Sequence, residues 1–160
     1  MKIKDLVLYS CVAAIYVVLT VLLGSFSFGP IQFRIAEALV LLCFFNKKFF
    51  LPLTLGCLIS NLMSPFGLYD VLFGTTATIF SLICIMKSKN IIIASLYPVI
   101  FNGVIISAEI CLINGVFDLY VFLFNMSTIM LGEFVCVTIL GTILFSTLKK
   151  NQSFMNLILE

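Results

Sequence analysis

The residues most able to do chemistry in this sequence are charged side chains in apolar surroundings. Arg34 and Glu37 lie three residues apart within a stretch that is otherwise apolar. Glu109 and Glu133 lie in apolar runs further along the chain, and Asp70 opens another. A charged side chain in hydrocarbon costs several kcal/mol on most scales, so such residues are rare and usually functional. The pattern therefore predicts a membrane protein that holds something polar.

The composition supports a membrane protein independently of any motif. Hydrophobic residues make up 62% of the 160 residues, and charged residues only 10%. The mean hydropathy is +1.27, whereas soluble domains carry about 25% charged residues. The length allows one compact domain. We expect residues 1–150 to form a single transmembrane domain and residues 151–160 a short cytoplasmic tail.

Apolar runs define six predicted spans, since about 20 mostly apolar residues cross a bilayer as a helix. They are residues 6–24, 30–45, 49–63, 70–86, 91–113 and 119–148. The second and third are short and the sixth is long, so we expect tilt or a helical part outside the membrane. Lys2 and Lys4 before the first span are also typical of a signal peptide. That span is longer than a signal peptide's apolar region and five more follow, so we expect it to be retained.

Lysines alternate between the predicted loops and indicate an orientation. Pairs of lysines precede span 1, separate spans 2 and 3, separate spans 4 and 5, and follow span 6: Lys2 and Lys4, Lys47 and Lys48, Lys87 and Lys89, Lys149 and Lys150. The other three connections contain no lysine. Because cytoplasmic loops collect Lys and Arg, the sequence predicts an all-α, six-helix membrane bundle with both termini in the cytoplasm.

This topology brings the polar residues of the spans to the outer half of the bundle. Arg34 should lie one turn inside the second span, counted from Pro30 as the first helical residue. Asn102 and Glu109 should share one face of the fifth span. The predicted ligand-binding residues are Arg34, Glu37, Asn61, Asp70, Asn102, Glu109 and Glu133.

Each of these residues also has a structural explanation. Arg34 and Glu37 are spaced to form an ion pair that reaches the membrane surface. Asp70 stands where the N-cap of a helix is expected. Asn61 and Asn102 are candidates for hydrogen bonds between helices, a common role of buried amides in membranes. The three glutamates are harder to explain in this way, because one arginine cannot neutralise all of them.

The charge balance indicates the class of ligand. One arginine stands against four carboxylates in the predicted site, an excess of three negative charges that disfavours a phosphate ester. A cation, or a ring edge with several N–H donors, matches carboxylate acceptors. Aromatic residues of the outer loops are candidates for stacking on a flat ring: Phe26, Phe28, Phe33, Phe66 and Tyr69.

Several kinds of chemistry have no signal in the sequence. There is no histidine, which disfavours a haem or a typical zinc site. Six cysteines are scattered singly and are interpreted as apolar packing residues: Cys11, Cys43, Cys57, Cys84, Cys111 and Cys136. No nucleotide-binding loop or hydrolase nucleophile elbow occurs. We therefore expect neither an enzyme nor a chain that holds a cofactor, a metal or ATP itself.

Short motifs along most of the chain resemble one transporter family. They are FGPIQFRIAEA at residues 28–38, LGCLISN at 55–61, SPFGLYD at 64–70, FGTTAT at 73–78, PVIFN at 98–102 and LGE at 131–133. On these motifs the chain resembles the QueT family, the substrate-binding (S) components of energy-coupling factor (ECF) transporters for queuosine precursors. The resemblance spans roughly residues 5–148, and its most specific part runs from the second to the fourth span.

The resemblance implies a subunit of the bacterial plasma membrane that captures its ligand from outside. It implies delivery together with a transmembrane coupling protein and two ATPase subunits, which use the ATP. The implied ligand is a 7-deazaguanine, with the aminomethyl compound as the expected form. A guanine-type edge would pair with a glutamate, and the aminomethyl group would be a cation in the acidic site.

Small residues of the first span are the candidate docking face. Ser10, Ala13 and Ala14 stand where S components often carry an alanine motif, with serine as the departure from that motif. Ser10 and Ala14 form a small-xxx-small pair, which lets another helix approach closely in lipid. That helix belongs either to the coupling protein or to the same bundle.

Two other functional classes remain open at this point. A self-sufficient secondary transporter or ion carrier would use the carboxylates to bind Na⁺ or H⁺. A membrane-embedded scaffold or enzyme would use the charges as structural pairs or catalytic groups. Transport without ATPase partners would favour the secondary transporter or ion carrier. The absence of tight ligand binding would favour the scaffold or enzyme.

Overall fold

Seven helices make up most of the part of the chain that the structure describes. The structure, a computed structural model, describes residues 3–29 and 31–159; Lys2 and Pro30, used in the predictions above, lie outside this part. The helices are α1 (Ile3–Leu22), α2 (Ile35–Phe45), α3 (Phe50–Leu62), α4 (Leu68–Ile85), α5 (Ile91–Ile113), α6 (Leu119–Leu148) and α7 (Gln152–Leu159). Short helical turns at Gly24–Ser27 and Lys47–Phe49 complete the elements. The described residues contain no strand, so the all-α prediction is confirmed.

Four of the helices are long and apolar enough to cross a membrane, namely α1, α4, α5 and α6. Their bounds agree with the predicted spans to within a few residues. Helix α3 has 13 residues, about 20 Å at 1.5 Å per residue, which is shorter than a bilayer core of about 30 Å. Helix α2 is shorter still. The structure thus supports a multi-span helical protein, while six spans and the direction of the termini stay predictions.

Helix α2 begins later than predicted. The helical hydrogen bonds start at Ile35, where Glu37 N donates to Arg34 O at 2.9 Å. Before it the chain makes tight turns, with Gln32 in the left-handed region at φ +50°. The prediction that Arg34 lies one turn inside a helix is therefore wrong, because Arg34 caps the helix from outside. The first part of α2, Ile35–Leu41, is a 3-10 helix.

Close packing of this turn segment on α6 explains its path. A Cβ atom added at Gly132 would overlap the carbonyl oxygens of Ile31 and Gln32. Glycine at this position therefore lets the backbone before α2 lie directly against α6. The segment crosses the end of the bundle instead of continuing as a helix. Arg34, at its end, is therefore buried within the bundle.

The start of α4 also differs from the prediction. Gly67 occupies the N-cap position with φ +57°, a conformation that favours glycine. Asp70 lies inside the first turn, so the prediction that it acts as the N-cap is wrong. Its carboxylate instead accepts a hydrogen bond from the Ser64 hydroxyl in the preceding turn.

The short helix α2 lies at the centre of the bundle. Helices α1, α3, α4, α5 and α6 follow one another around it, each packed on the next and each in contact with α2. Ala36, Glu37, Ala38, Val40 and Leu41 of α2 are buried as a result. A short central helix surrounded by longer ones places Glu37 in the interior of the protein.

Helix α6 contains a wider stretch immediately after Glu133. Residues Phe134–Gly141 form a π-helix, and α6 then continues as an α-helix from Thr142. Such segments within α-helices are rare and occur frequently at functional sites. The π-helix packs on α2 and α5, next to the buried polar residues described below.

The end of the bundle that carries lysines is filled by apolar side chains. Phe49, Leu53, Leu82 and Phe145 are completely or almost completely buried there. Helix α7, which covers most of the predicted tail, packs on this core through Ile158. Asn46 Nδ2 donates to Ile158 O at 2.6 Å and holds α7 against the start of α3.

Candidate ligand site

All seven predicted ligand-binding residues are buried, with 2% or less of each exposed. They come from the start of α2, the end of α3, the start of α4, and from α5 and α6: Arg34, Glu37, Asn61, Asp70, Asn102, Glu109 and Glu133. The cluster fills the half of the bundle opposite the lysine-bearing turns at Lys47–Phe49 and after α4, and it reaches Asn102 and Glu133 at the middle of α5 and α6. The sequence could predict their convergence because hydropathy fixes where each residue lies along its helix.

Arg34 joins α2 to α3 and α4. Its Nη2 atom donates to Asn61 Oδ1 at 3.4 Å and lies 3.9 Å from Asp70 Oδ1. The guanidinium also lies 5.6 Å from the centre of the Phe28 ring, a cation–π distance. The alternative explanation, an Arg34–Glu37 pair at the membrane surface, is wrong, since Arg34 is buried and pairs with Asp70.

Glu37 is held by two hydroxyl groups that the sequence analysis did not identify. Tyr16 OH of α1 donates to Glu37 Oε1 at 2.5 Å, and Thr78 Oγ1 of α4 donates to the same atom at 3.2 Å. Thr75 and Thr78 stand three residues apart on the helix that carries Asp70, a signal that could have identified this face. Tyr16 lies within the apolar part of α1, with no charged residue near it along the helix, and gave no comparable signal.

The two buried asparagines link neighbouring helices, as predicted. Asn61 Nδ2 donates to Thr75 Oγ1 at 3.3 Å, which connects α3 to α4. Asn102 Nδ2 donates to Glu133 Oε1 at 2.9 Å, which connects α5 to α6. Each amide therefore fixes a helix pair and also presents a polar group to the buried cluster.

Glu109 differs from the other carboxylates of the cluster. It is 1% exposed, and no hydroxyl, amide or guanidinium of the described residues donates to its carboxylate oxygens; the polar group placed beside it is the carboxyl of Asp70. The charged groups that interact with it electrostatically are Asp70 and Arg34. A buried carboxyl group without donors costs free energy unless a bound group satisfies it.

Several other buried polar atoms in the described residues lack a partner. They are Ser27 Oγ, Gln32 Oε1, Arg34 Nε, Glu37 Oε2, Asp70 Oδ1, Asn102 Oδ1 and Glu133 Oε2, besides the two oxygens of Glu109. All but Arg34 Nε and the Ser27 hydroxyl are acceptors only. Native proteins leave few buried polar atoms unsatisfied, and each one calls for an explanation. This cluster is suited to a ligand that is rich in donors and carries positive charge.

Gln32 and Ser27 are candidate site residues that the sequence analysis missed. Both residues are buried, with an exposed fraction of 4% for Gln32 and 1% for Ser27. They lie in the segment that closes this end of the bundle before α2. The left-handed backbone of Gln32 is uncommon for a residue other than glycine, and such outliers concentrate at functional sites.

The candidate docking residues Ser10, Ala13 and Ala14 line a groove between α1 and α3. The groove has a volume of about 500 Å³, and its lining from α3 includes Pro52 and Leu55. Helix α1 is the most peripheral of the four long helices, with 11% of its apolar stretch buried against 44% in each of the others.

Packing inside the bundle accounts for only part of this small-residue motif. A Cβ atom at Gly56 of α3 would lie 3.0 Å from Tyr16 Cβ and 3.1 Å from Ala13 O, so α1 and α3 approach closely there. Ser10 and Ala14 are exposed instead. Their exposure leaves room for a further helix, and docking on this face stays a prediction.

Comparisons with known proteins agree on one family. A family model described as QueT transporter matches residues 6–150. The Queuosine precursor transporter QueT of Lactococcus lactis subsp. cremoris (strain MG1363) is 46% identical over 80 residues, which cover 49% of this chain and 47% of that relative. The match thus spans about half the length of the curated relative. No solved structure matches the chain. Since the family model covers most of the sequence, this multi-pass protein of the bacterial plasma membrane belongs to the QueT transporter family.

Proposed function

We propose that this protein is the substrate-capturing membrane subunit of an ECF-type importer for a queuosine precursor. The ligand is a 7-deazaguanine, with 7-aminomethyl-7-deazaguanine as the preferred form. The observation that carries the proposal is the buried cluster of unpartnered acceptors around Arg34. The name of the Lactococcus lactis relative supports the same class of ligand.

The chemistry of this ligand fits the cluster. A guanine-type edge presents adjacent N–H donors, and the aminomethyl group carries a positive charge near neutral pH. The cluster offers four carboxyl groups and one guanidinium, all of them buried. Hydrogen bonds between charged donors and carboxylates are shorter and roughly twice as strong as neutral ones. An anionic ligand would meet repulsion from the same groups.

Coupling to ATP requires other subunits in this proposal. The apolar groove lined by Ser10, Ala13 and Ala14 offers a surface on which a helix of the coupling protein can lie closely. Two ATPase subunits bound to that coupling protein would then use the ATP. Support for this part comes from the exposed small residues of α1 and from the resemblance to S components.

The identity of the ligand is tested by mass spectrometry of the protein after mild purification, followed by isothermal titration. We expect an aminomethyl deazaguanine to co-purify and to bind the washed protein. Failure to bind any 7-deazaguanine would overturn the proposal. Tight binding of an unrelated class of ligand would overturn it as well.

Docking is tested with Ala14→Leu in proteoliposomes that contain the coupling protein and the ATPases. The added side chain fills the groove, so we expect ATP-driven uptake to be lost while the isolated subunit binds ligand normally. Cys11→Leu adds similar bulk at an exposed neighbouring position that does not line the groove, and it serves as the matched control.

The outcomes of this experiment separate the remaining functional classes. Loss of ligand binding in Ala14→Leu would mean that the groove residues hold the bundle together. Steady uptake by the wild-type subunit without ATPases would instead identify a secondary transporter or ion carrier, in which the buried carboxylates bind Na⁺ or H⁺.

A further inference from the structure

The unpartnered acceptors of the carboxyl groups and of Asn102 fall into two groups, to neither of which Gln32 Oε1 is assigned. Asp70 and Glu109 interact electrostatically with each other and form the first group, here called the acidic pair. Glu37, Asn102 and Glu133 form the second group, here called the acceptor triad. Asn102 hydrogen-bonds Glu133, and Glu37 interacts electrostatically with Glu133.

The acidic pair places two buried carboxyl groups beside one shared guanidinium. Asp70 Oδ2 receives the Ser64 hydroxyl, while Asp70 Oδ1 lies 3.9 Å from Arg34 Nη2, beyond hydrogen-bond distance. Arg34 also donates to Asn61, so its charge is shared among several groups. Within residues 3–29 and 31–159, three oxygen atoms of the pair have no N–H or hydroxyl donor: Asp70 Oδ1 and both oxygens of Glu109. An ammonium group carries three N–H donors and one positive charge, which matches this set in number and in charge.

The acceptor triad is built differently. Tyr16 and Thr78 hold Glu37 Oε1, and Asn102 Nδ2 holds Glu133 Oε1. Each member therefore keeps one orientation and presents one unpartnered acceptor: Glu37 Oε2, Asn102 Oδ1 and Glu133 Oε2. Fixed single acceptors on three different helices suit a rigid planar group with several N–H donors. A guanine-type edge has three such donors, one on the ring nitrogen and two on the amino group.

We propose that the site has two subsites with separate roles. The acidic pair binds the ammonium of the aminomethyl group, and the acceptor triad binds the guanine-type edge of the ring. This assignment rests on the proposed function and adds the orientation of the ligand. It also makes the acidic pair the determinant of selectivity for a cationic substituent over a neutral one.

The test compares two ligands on two isosteric variants by isothermal titration. The ligands are 7-aminomethyl-7-deazaguanine and unsubstituted 7-deazaguanine, which has the same ring edge and no ammonium. Glu109→Gln removes a charge of the acidic pair, and we expect it to weaken binding of the aminomethyl compound about tenfold or more. Its affinity for 7-deazaguanine should stay unchanged.

The matched control is Glu133→Gln, which alters the acceptor triad. We expect it to weaken binding of both ligands by the same factor, because both carry the same ring edge. Thermal unfolding of each variant without ligand verifies that the bundle is intact, since glutamine preserves the shape of glutamate.

The outcomes distinguish this inference from the proposed function. If the wild type binds neither ligand, the proposed function fails and the subsites fail with it. If Glu109→Gln weakens binding of both ligands by the same factor, the proposed function stands and the ammonium subsite is wrong. If the wild type binds both ligands equally, capture of a 7-deazaguanine stands, while the preference for the aminomethyl form and the ammonium subsite are both wrong. If Glu133→Gln weakened binding of the aminomethyl compound and left 7-deazaguanine binding unchanged, the ammonium would lie at the acceptor triad instead of the acidic pair. That result would overturn the proposed assignment of the two subsites.

Discussion

The two ends of this bundle bury opposite kinds of side chain. The end that carries Arg34 buries charged and amide groups, several of them without a partner. The end that carries Lys47 and Lys48 buries aromatic and aliphatic side chains around Phe145 and is covered by α7. Both ends belong to the same helices, so the difference is set by the residues that each helix places there.

This difference separates stability from ligand binding. A buried polar atom without a partner costs about 1–3 kcal/mol, so the polar end lowers the stability of the ligand-free protein. The apolar end offsets that cost through close packing, which drives helix association in membranes where lipid is as apolar as leucine. Variants at the apolar end should change stability, and variants at the polar end should change binding.

The largest effect is expected at the apolar end, for Phe145→Ala. The ring is 1% exposed and packs on Phe45 and Phe154, with ring centres 5.8 and 6.5 Å apart. Its removal leaves a cavity that should cost about 3–5 kcal/mol of unfolding free energy. Thermal unfolding in detergent measures the loss, and titration of the folded protein should give wild-type affinity. A large fall in affinity would show that the two ends are coupled.

The next effect is expected at the polar end, for Glu37→Gln. Glutamine keeps the shape but loses the charge and one acceptor, and hydrogen bonds to charged groups contribute about 1.5–3 kcal/mol. Ligand affinity should fall correspondingly, while the unliganded protein unfolds at the wild-type temperature or above it. Tyr16→Phe removes one donor to Glu37 and leaves its charge in place, so its effect on affinity should be smaller. Unchanged affinity in Glu37→Gln would return this residue to a structural role.

A backbone contact at the polar end is tested by Gly132→Ala. The new Cβ would overlap the carbonyl oxygens of Ile31 and Gln32, and such overpacking costs about 1–3 kcal/mol. The segment before α2 must shift, so we expect weaker ligand binding together with lower stability. Gly24→Ala is the matched control, because its Cβ would meet nothing closer than Phe28 Cδ2 at 4.0 Å. If Gly132→Ala and Gly24→Ala had the same ligand affinity and the same stability, the close packing on α6 would not position the site.

The smallest effect is expected for Asn46→Ala at the apolar end. It removes the part-buried hydrogen bond to Ile158 O, which we expect to contribute about 0.5–1.5 kcal/mol net, and the exposed one that Asn46 Oδ1 accepts from Lys48 N, which contributes less. We expect α7 to be cleaved faster by added protease and ligand affinity to be unchanged. Altered affinity would show that α7 acts on the polar end across the whole bundle.

Much of the architecture was predictable from the sequence because hydropathy is a local property. The four long helices lie close to their predicted bounds, and the predicted polar residues are all buried between one end of the bundle and its middle. Their depth follows from their position along each helix, since every residue adds a fixed rise of about 1.5 Å. The asparagine contacts between helices were predictable for a related reason, because a buried amide in a membrane requires a partner.

The pairing of these groups was decided by the tertiary structure. Glu37 hydrogen-bonds residues 21 positions before it and 41 positions after it, and Arg34 pairs with Asp70 instead of the neighbouring Glu37. No local pattern specifies such partners, because they depend on which helix faces come together. The start of α2 depends on Gly132, almost a hundred residues away, which allows the close backbone contact. The sequence by itself therefore determined which groups are buried and at what depth, whereas the packing of the helices around α2 determined which of them meet and which atoms stay available to a ligand.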